Sequence, residues 1–276
     1  MFIQRAIVSA IFGSLAFWLL YLGGWWYFVP VLTLMLIGGF EYTKMMQEMA
    51  YEVNLPLMLA AIGLQIMAAI LFGSEGLSAA LIVSLFASLC WVLWRFESGA
   101  NLGRLVSAEW FATVTGIIFL GWMGSHFILI RNIDPATGST AWQWTTIVIM
   151  ATWVADMGAY MVGSFITKFI GRHALTPRLS PKKSVEGYIG GILSGMIFGW
   201  VVGGIVFGLP LGTVLILSLF VAALGTAGDL CVSMLKREAK VKDSGVLFPG
   251  HGGSLDRTDS IIWTTAISYY LLQLFL

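Results

Sequence analysis

Residues 233–260 read SMLKREAKVKDSGVLFPGHGGSLDRTDS, and the apolar stretches beside them, Leu211–Val232 and Ser260–Leu276, are each long enough to cross a bilayer. The segment holds five of the chain's 15 Lys and Arg residues and four of its 14 Asp and Glu residues. Basic groups, acidic groups and a glycine-rich bend crowded between two spans point to a site for a metal and phosphates. The surrounding chain is mostly hydrocarbon. Hydrophobic residues make up 58% and charged residues 11%, against about 25% charged in soluble domains.

Working outward, nine apolar runs approach the ~20 residues that a helical span needs. They are Ala6–Tyr21, Trp25–Phe40, Leu55–Phe72, Leu77–Phe96, Phe111–Ile130, Gln143–Ile166, Tyr188–Phe207, Leu211–Val232 and Ser260–Leu276. Barrel strands would be half as long and would alternate in polarity. The expected fold is therefore all-α, a single polytopic membrane domain over residues 1–276. Spans in 1–142 come first, and 143–276 carries the spans and loops of the site. Little more than Gly23 and Gly24 separates the first two runs, so a tight hairpin or half-span is expected there. Arg5 before an apolar core resembles a signal peptide, but no small-residue cleavage site follows, and the run is read as a retained helix.

Nine spans put the N-terminus and the loops near 41–54, 97–110, 167–187 and 233–259 on one face, which then holds 14 of the 15 basic residues. The other face holds Arg131. Positive charge favours the cytoplasmic side, so the N-terminus is expected inside and the C-terminus outside. Cys90 and Cys231 lie in or at the end of apolar runs without Cys or His at metal spacing, and packing explains them. Trp residues near the span ends, Trp25, Trp26, Trp94, Trp110, Trp142 and Trp144 among them, fit interfacial anchoring.

Charge inside the apolar runs marks candidate chemistry. Asp156 sits within ATWVADMGAYMVG, where a carboxylate at the bilayer centre costs about 2.5–3.5 kcal/mol unless a partner, water or ion meets it. A structural hydrogen bond to a neighbouring helix is the plain alternative. Gly158 and Gly163 make room for close packing. Asp229, Ser233, Lys236 and Arg237 fall at i, i+4, i+7 and i+8, along one helical face. Lys236 and Arg237 could alternatively be ordinary snorkelling residues. After the bend Pro249-Gly250-His251-Gly252-Gly253, Asp256 and Asp259 sit i, i+3 where the last helix begins. Acids there complement a helix dipole. With Asp229 they also supply oxygen ligands of the kind Mg²⁺ takes alongside substrate phosphates. His251 could contact phosphate or cap the loop. Lys168, Arg172, Arg178, Lys182 and Lys183 form a second basic group, suited to anionic headgroups or, with Glu186 among them, to a shaped site.

These residues carry a resemblance. Ser233–Asp259 resembles the signature of phosphatidate cytidylyltransferases, also called CDP-diacylglycerol synthases: Ser-x-apolar-Lys-Arg, four residues, Lys-Asp, then Pro-x-His-Gly-Gly and Asp-Arg-x-Asp. Ser233, Lys236, Arg237, Lys242, Asp243, Pro249, His251, Gly252, Gly253, Asp256, Arg257 and Asp259 meet it. Similarity extends to Asp156-x-x-Ala159-Tyr160, Ser180-Pro181-Lys182-Lys183 and Gly228-Asp229-Leu230. Two positions depart: Ser254 stands where the family usually has an apolar residue, and Ser184 where it usually has Thr.

The resemblance implies that CTP and phosphatidate give CDP-diacylglycerol and pyrophosphate in the bacterial cytoplasmic membrane. It implies Asp156, Lys236, Arg237 and Arg257 as catalytic, with Lys182, Lys183, Ser233, Lys242, His251, Gly252 and Gly253 binding substrate. Asp229, Asp256 and Asp259 would hold Mg²⁺, with a second cation and a homodimer left open and no nucleic acid as partner. A transporter would also tolerate Asp156 and broken helices, and another lipid phosphotransferase is closer in chemistry. No Asp-Gly-x-x-Ala-Arg run, GxxxxGK[ST] loop or HExxH motif occurs.

Overall fold

The structure is a computed structural model that describes residues 13–99, 105–133, 141–248, 250 and 252–275. Apolar runs become helices because a backbone in hydrocarbon must satisfy its own hydrogen bonds. In chain order they are α1 (Gly13–Leu22), α2 (Gly24–Glu48), α3 (Leu55–Glu97), α4 (Val106–Gly116), a π-helical stretch Ile117–Met123, and α5 (His126–Arg131). Then follow α6 (Ala141–Ile170), strands β1 (Ala174–Thr176) and β2 (Ser180–Ser184), α7 (Val185–Phe198) with a π-helical continuation Gly199–Val206, α8 (Leu211–Glu238) and α9 (Leu255–Phe275).

Among the described residues six helices are long and apolar enough to cross a membrane, and the chain is an all-α polytopic membrane protein. The expected count of nine is not reached on those criteria. The run Ala6–Tyr21 falls partly outside the described residues. α9 has the length but not the hydropathy, because Thr258, Ser260, Thr264, Thr265 and Ser268 are all buried along it. Helix interfaces inside membranes use such small polar side chains.

The third reason is that α3 is two expected runs in one element. Its 43 residues would extend about 64 Å if straight, yet Arg95 in its last turn pairs at 2.7 Å with Glu52, just before its start. The chain reverses at Gly73, where φ is 65° and ψ −148°. Glycine alone takes such a backbone without strain.

The helices gather into two compact units. Among the described residues, one unit lies within Gly24–Leu129 and Leu235–Asp256, and the other within 13–23, Ile130–Met234 and 257–275. In the first, Tyr42, Met35, Met45, Met58, Ile62, Ile66 and Leu120 form the core, and the Tyr42 hydroxyl donates to the Ala112 carbonyl at 2.8 Å. Arg95 also reaches Glu109 at 2.9 Å.

In the second unit Trp144, Ile147, Val148, Ala151, Val214, Leu217, Val221 and Leu272 make a continuous core. α6 and α7 lie backbone to backbone along small residues. A Cβ on Gly187 would come 2.7 Å from the Ala159 carbonyl, and one on Gly191 2.8 Å from that of Ala155. Gly158 and Gly163 line the same seam, facing Ser194 and Gly187, as their sequence setting suggested. α8 meets α9 equally closely at Gly228, where a Cβ would stand 2.7 Å from the Asp259 carbonyl oxygen.

Candidate active site

The charged residues of the second unit are set by three elements. Residues 167–187, expected as a loop, contain an antiparallel hairpin of β1 and β2. A five-residue strand, Ser180–Ser184, is too short and polar to announce itself by periodicity, but once formed it sends neighbouring side chains to opposite faces. Lys182 is exposed, whereas Lys183 is half-buried and ion-pairs with Asp229 of α8. Ser184 ends the strand and caps α7, its hydroxyl accepting the Gly187 N–H at 3.1 Å. Serine and threonine both serve there, which accounts physically for the departure from the family pattern at Ser184. Glu186 braces the hairpin by contacting the His173 ring.

On α8, Ser233 donates to Asp229 at 3.3 Å, the i, i+4 contact its spacing foretold. Asp156 of α6 is exposed, and its charged neighbours are Lys183, Asp229 and Arg257. Two carboxylates are thus gathered with two cations. Arg257 is exposed. Asp259 is buried at 8% exposure and accepts the Ser260 N–H at 2.7 Å.

The first unit holds a different arrangement. Asp256, in the first turn of α9, accepts from Lys236 at 2.6 Å through Oδ1. Its Oδ2 accepts from the Ser244 N–H at 2.8 Å, the Ser244 hydroxyl at 3.0 Å and the Gly253 N–H at 2.9 Å. Burial raises the pKa of this carboxyl, but the Lys236 ammonium and the N–H groups of Gly253 and Ser244 outweigh it, and the net shift is downward. Phe248 and Gly252 bridge across the bend, the Phe248 N–H donating to the Gly252 carbonyl at 2.9 Å. Gly252 takes φ 86°, and a Cβ there would run into the Asp256 carboxylate.

Sequence reasoning missed Glu41. This α2 carboxylate is 6% exposed and accepts from the Ser254 N–H at 2.8 Å, the Leu255 N–H at 2.9 Å and the Ser244 hydroxyl at 2.8 Å. Its one sequence signal is an acid where an apolar run ends, too common to stand out. Ser254 itself is fully buried, and its hydroxyl donates to the Leu34 carbonyl at 2.8 Å. The polar departure at that position is therefore accommodated.

Of the other expected residues, Arg237, Lys242 and Asp243 are exposed and Gly253 is buried against Glu41. His251 lies outside the described residues.

Among the described residues no three His, Cys, Asp or Glu side chains gather as a dedicated metal cage. Mg²⁺ does not require one, since it commonly takes one or two carboxylates plus phosphates and water. Asp229, half-buried with a hydroxyl beside it, offers the right oxygen chemistry. Asp256 offers it only through Oδ1, which it shares with Lys236.

Opposed charges gathered at the ends of membrane helices make a setting suited to phosphate groups. The chain belongs to the cytidylyltransferase family, whose model matches residues 3–275. A Synechocystis protein named phosphatidate cytidylyltransferase is 30% identical over 299 aligned residues, covering 99% of this chain and 97% of its own length. A Bacillus subtilis protein of the same name is 35% identical over 159 residues, 57% of this chain and 56% of its own. The Arabidopsis thaliana phosphatidate cytidylyltransferase 5, chloroplastic, is 62% identical over 47 residues, 17% of this chain and 12% of its own.

Proposed function

We propose that this protein transfers the cytidylyl group of CTP to phosphatidate, forming CDP-diacylglycerol and releasing pyrophosphate in phospholipid biosynthesis. The observation that carries this reading is the near end-to-end match to the Synechocystis phosphatidate cytidylyltransferase, within a family that spans residues 3–275. A transport reading has no comparable support.

The phosphomonoester oxygen of phosphatidate attacks the α-phosphorus of CTP, and the bond from that phosphorus to the β-bridging oxygen breaks. The attacking oxygen is already anionic, so no strong base is needed. Catalysis then rests on neutralising charge and aligning the two anions. Lys183 and Arg257 are the cations we assign to phosphate in the second unit, with Asp156 and Asp229 holding them in place between turnovers. Lys236, braced by Asp256, is the phosphate cation of the first unit. Lys182, Lys242 and Arg237 are exposed and would steer anions inward. Mg²⁺, when bound, would supply charge neutralisation on the nucleotide, with Asp229 and then Asp259 the candidate ligands of the second unit and Asp256 Oδ1 the candidate of the first.

We also assign nine spans, counting α1, both halves of α3 and α9, with the N-terminus cytoplasmic and the membrane the bacterial inner one. The basic residues favour this orientation. The activity is tested by incubating detergent-purified protein with CTP, Mg²⁺ and either phosphatidate or diacylglycerol, then analysing lipids by mass spectrometry. CDP-diacylglycerol should form from phosphatidate alone. Its absence in both reactions, with protein that remains folded, would contradict the assignment.

A further inference from the structure

The bend that carries the signature is held from outside the signature. Glu41 takes the N–H groups of Ser254 and Leu255, which open α9. Those donors have no partner within a helix, and an acidic group there suits the helix dipole. Glu41 thus does for α9 what a capping side chain usually does locally, although it lies more than 200 positions away. The Ser254 hydroxyl, the usual capping group, is turned away to Leu34.

Ser244 completes the connection, its hydroxyl standing 2.8 Å from Glu41 Oε2 and 3.0 Å from Asp256 Oδ2. A Cβ on Gly245 or Gly253 would overlap the Glu41 carboxylate. Two glycines have been left bare so that this one acid can enter the loop.

We propose that Glu41 is a positioning residue for the transfer reaction, acting through Ser244 and the start of α9 to fix Asp256 and, through it, the Lys236 ammonium. The inference rests on the cytidylyltransferase reading for its kinetic consequence, and on the hydrogen bonds alone for its structural one. Without Glu41, the Ser254 and Leu255 N–H groups lose a buried acceptor and the first turn of α9 loosens. Lys236 then loses its fixed partner geometry, so the interaction weakened is the one with nucleotide phosphate.

The test uses full-length Glu41→Gln and Ser244→Ala. Glu41→Gln should lower kcat/KM for CTP about 10- to 100-fold, as loss of an outer supporting contact does, with KM for phosphatidate within about twofold. Amide exchange at residues 253–256 should accelerate in the same protein without nucleotide or metal. Ser244→Ala should show both effects more weakly, and it decides the matter should Glu41→Gln fail to fold. Unchanged exchange and unchanged KM for CTP in the folded variants would overturn the proposal. So would a lowered melting temperature with wild-type kinetics, which is what a purely structural cap would give. Should wild-type protein make no CDP-diacylglycerol, the activity reading falls and the exchange data still judge the positioning role.

Discussion

Asp229 and Asp256 carry the same functional group on consecutive helices, yet their surroundings give them different work. Asp229 meets a lysine and a serine hydroxyl, an accessible oxygen setting. Asp256 has three donors on one oxygen and Lys236 on the other. Replacing Asp229 by Asn should cut turnover at least ~100-fold and be partly reversed by raising Mg²⁺, since a ligand defect is a defect in affinity. Asp256→Asn should cut turnover as deeply without recovering, because what is lost is the bend. Equal rescue of both in a Mg²⁺ titration would erase the distinction. The lowered Asp256 pKa adds a sign. A carboxyl depressed below its ordinary 3.8 contributes stability that is fully present above that value and is lost as pH falls through the folded value. The melting-temperature gap between wild type and Asp256→Asn should thus be flat from about pH 8 to about pH 5 and close only in stronger acid.

At the scale of elements, the β1–β2 hairpin separates two adjacent lysines. Lys183 reaches Asp229 while Lys182 stays exposed, and exposed pairings contribute little, about 0–1 kcal/mol. Lys183→Ala should therefore reduce kcat/KM for CTP at least tenfold more than Lys182→Ala. Comparable losses in steady-state assays would mean the hairpin does not orient them. This element was hidden from sequence reasoning because its strands are short and polar. Glu41 was hidden for another reason, since no spacing rule links position 41 to a loop beyond position 240. The Asp229–Ser233 contact, Gly158 and Gly163 of the α6–α7 seam and the break between the halves of α3 were legible, because helical spacing, small residues and apolar run length mark them directly.

Over the whole chain, composition alone established the membrane class, and near-saturating hydrophobicity made individual span ends harder to read. α9 shows why: its buried hydroxyls lower its hydropathy while serving helix packing. The proposed orientation can be checked in a protein whose Cys90 and Cys231 are replaced by Ser. A single cysteine at Asn132 should react with an impermeant maleimide from outside the cell, and one at Arg178 only after the membrane is opened. Labelling of both from one side would overturn the nine-span arrangement.

The central claim is that this chain joins CTP to phosphatidate, and transfer of label from the α-phosphate of CTP into chloroform-extractable lipid measures it most directly. Purified wild-type protein with phosphatidate and Mg²⁺ should yield labelled lipid and equimolar pyrophosphate, while Asp229→Asn at low Mg²⁺ should yield almost none. Folded wild-type protein that releases pyrophosphate without labelling lipid, or that labels no lipid at all, would contradict the account.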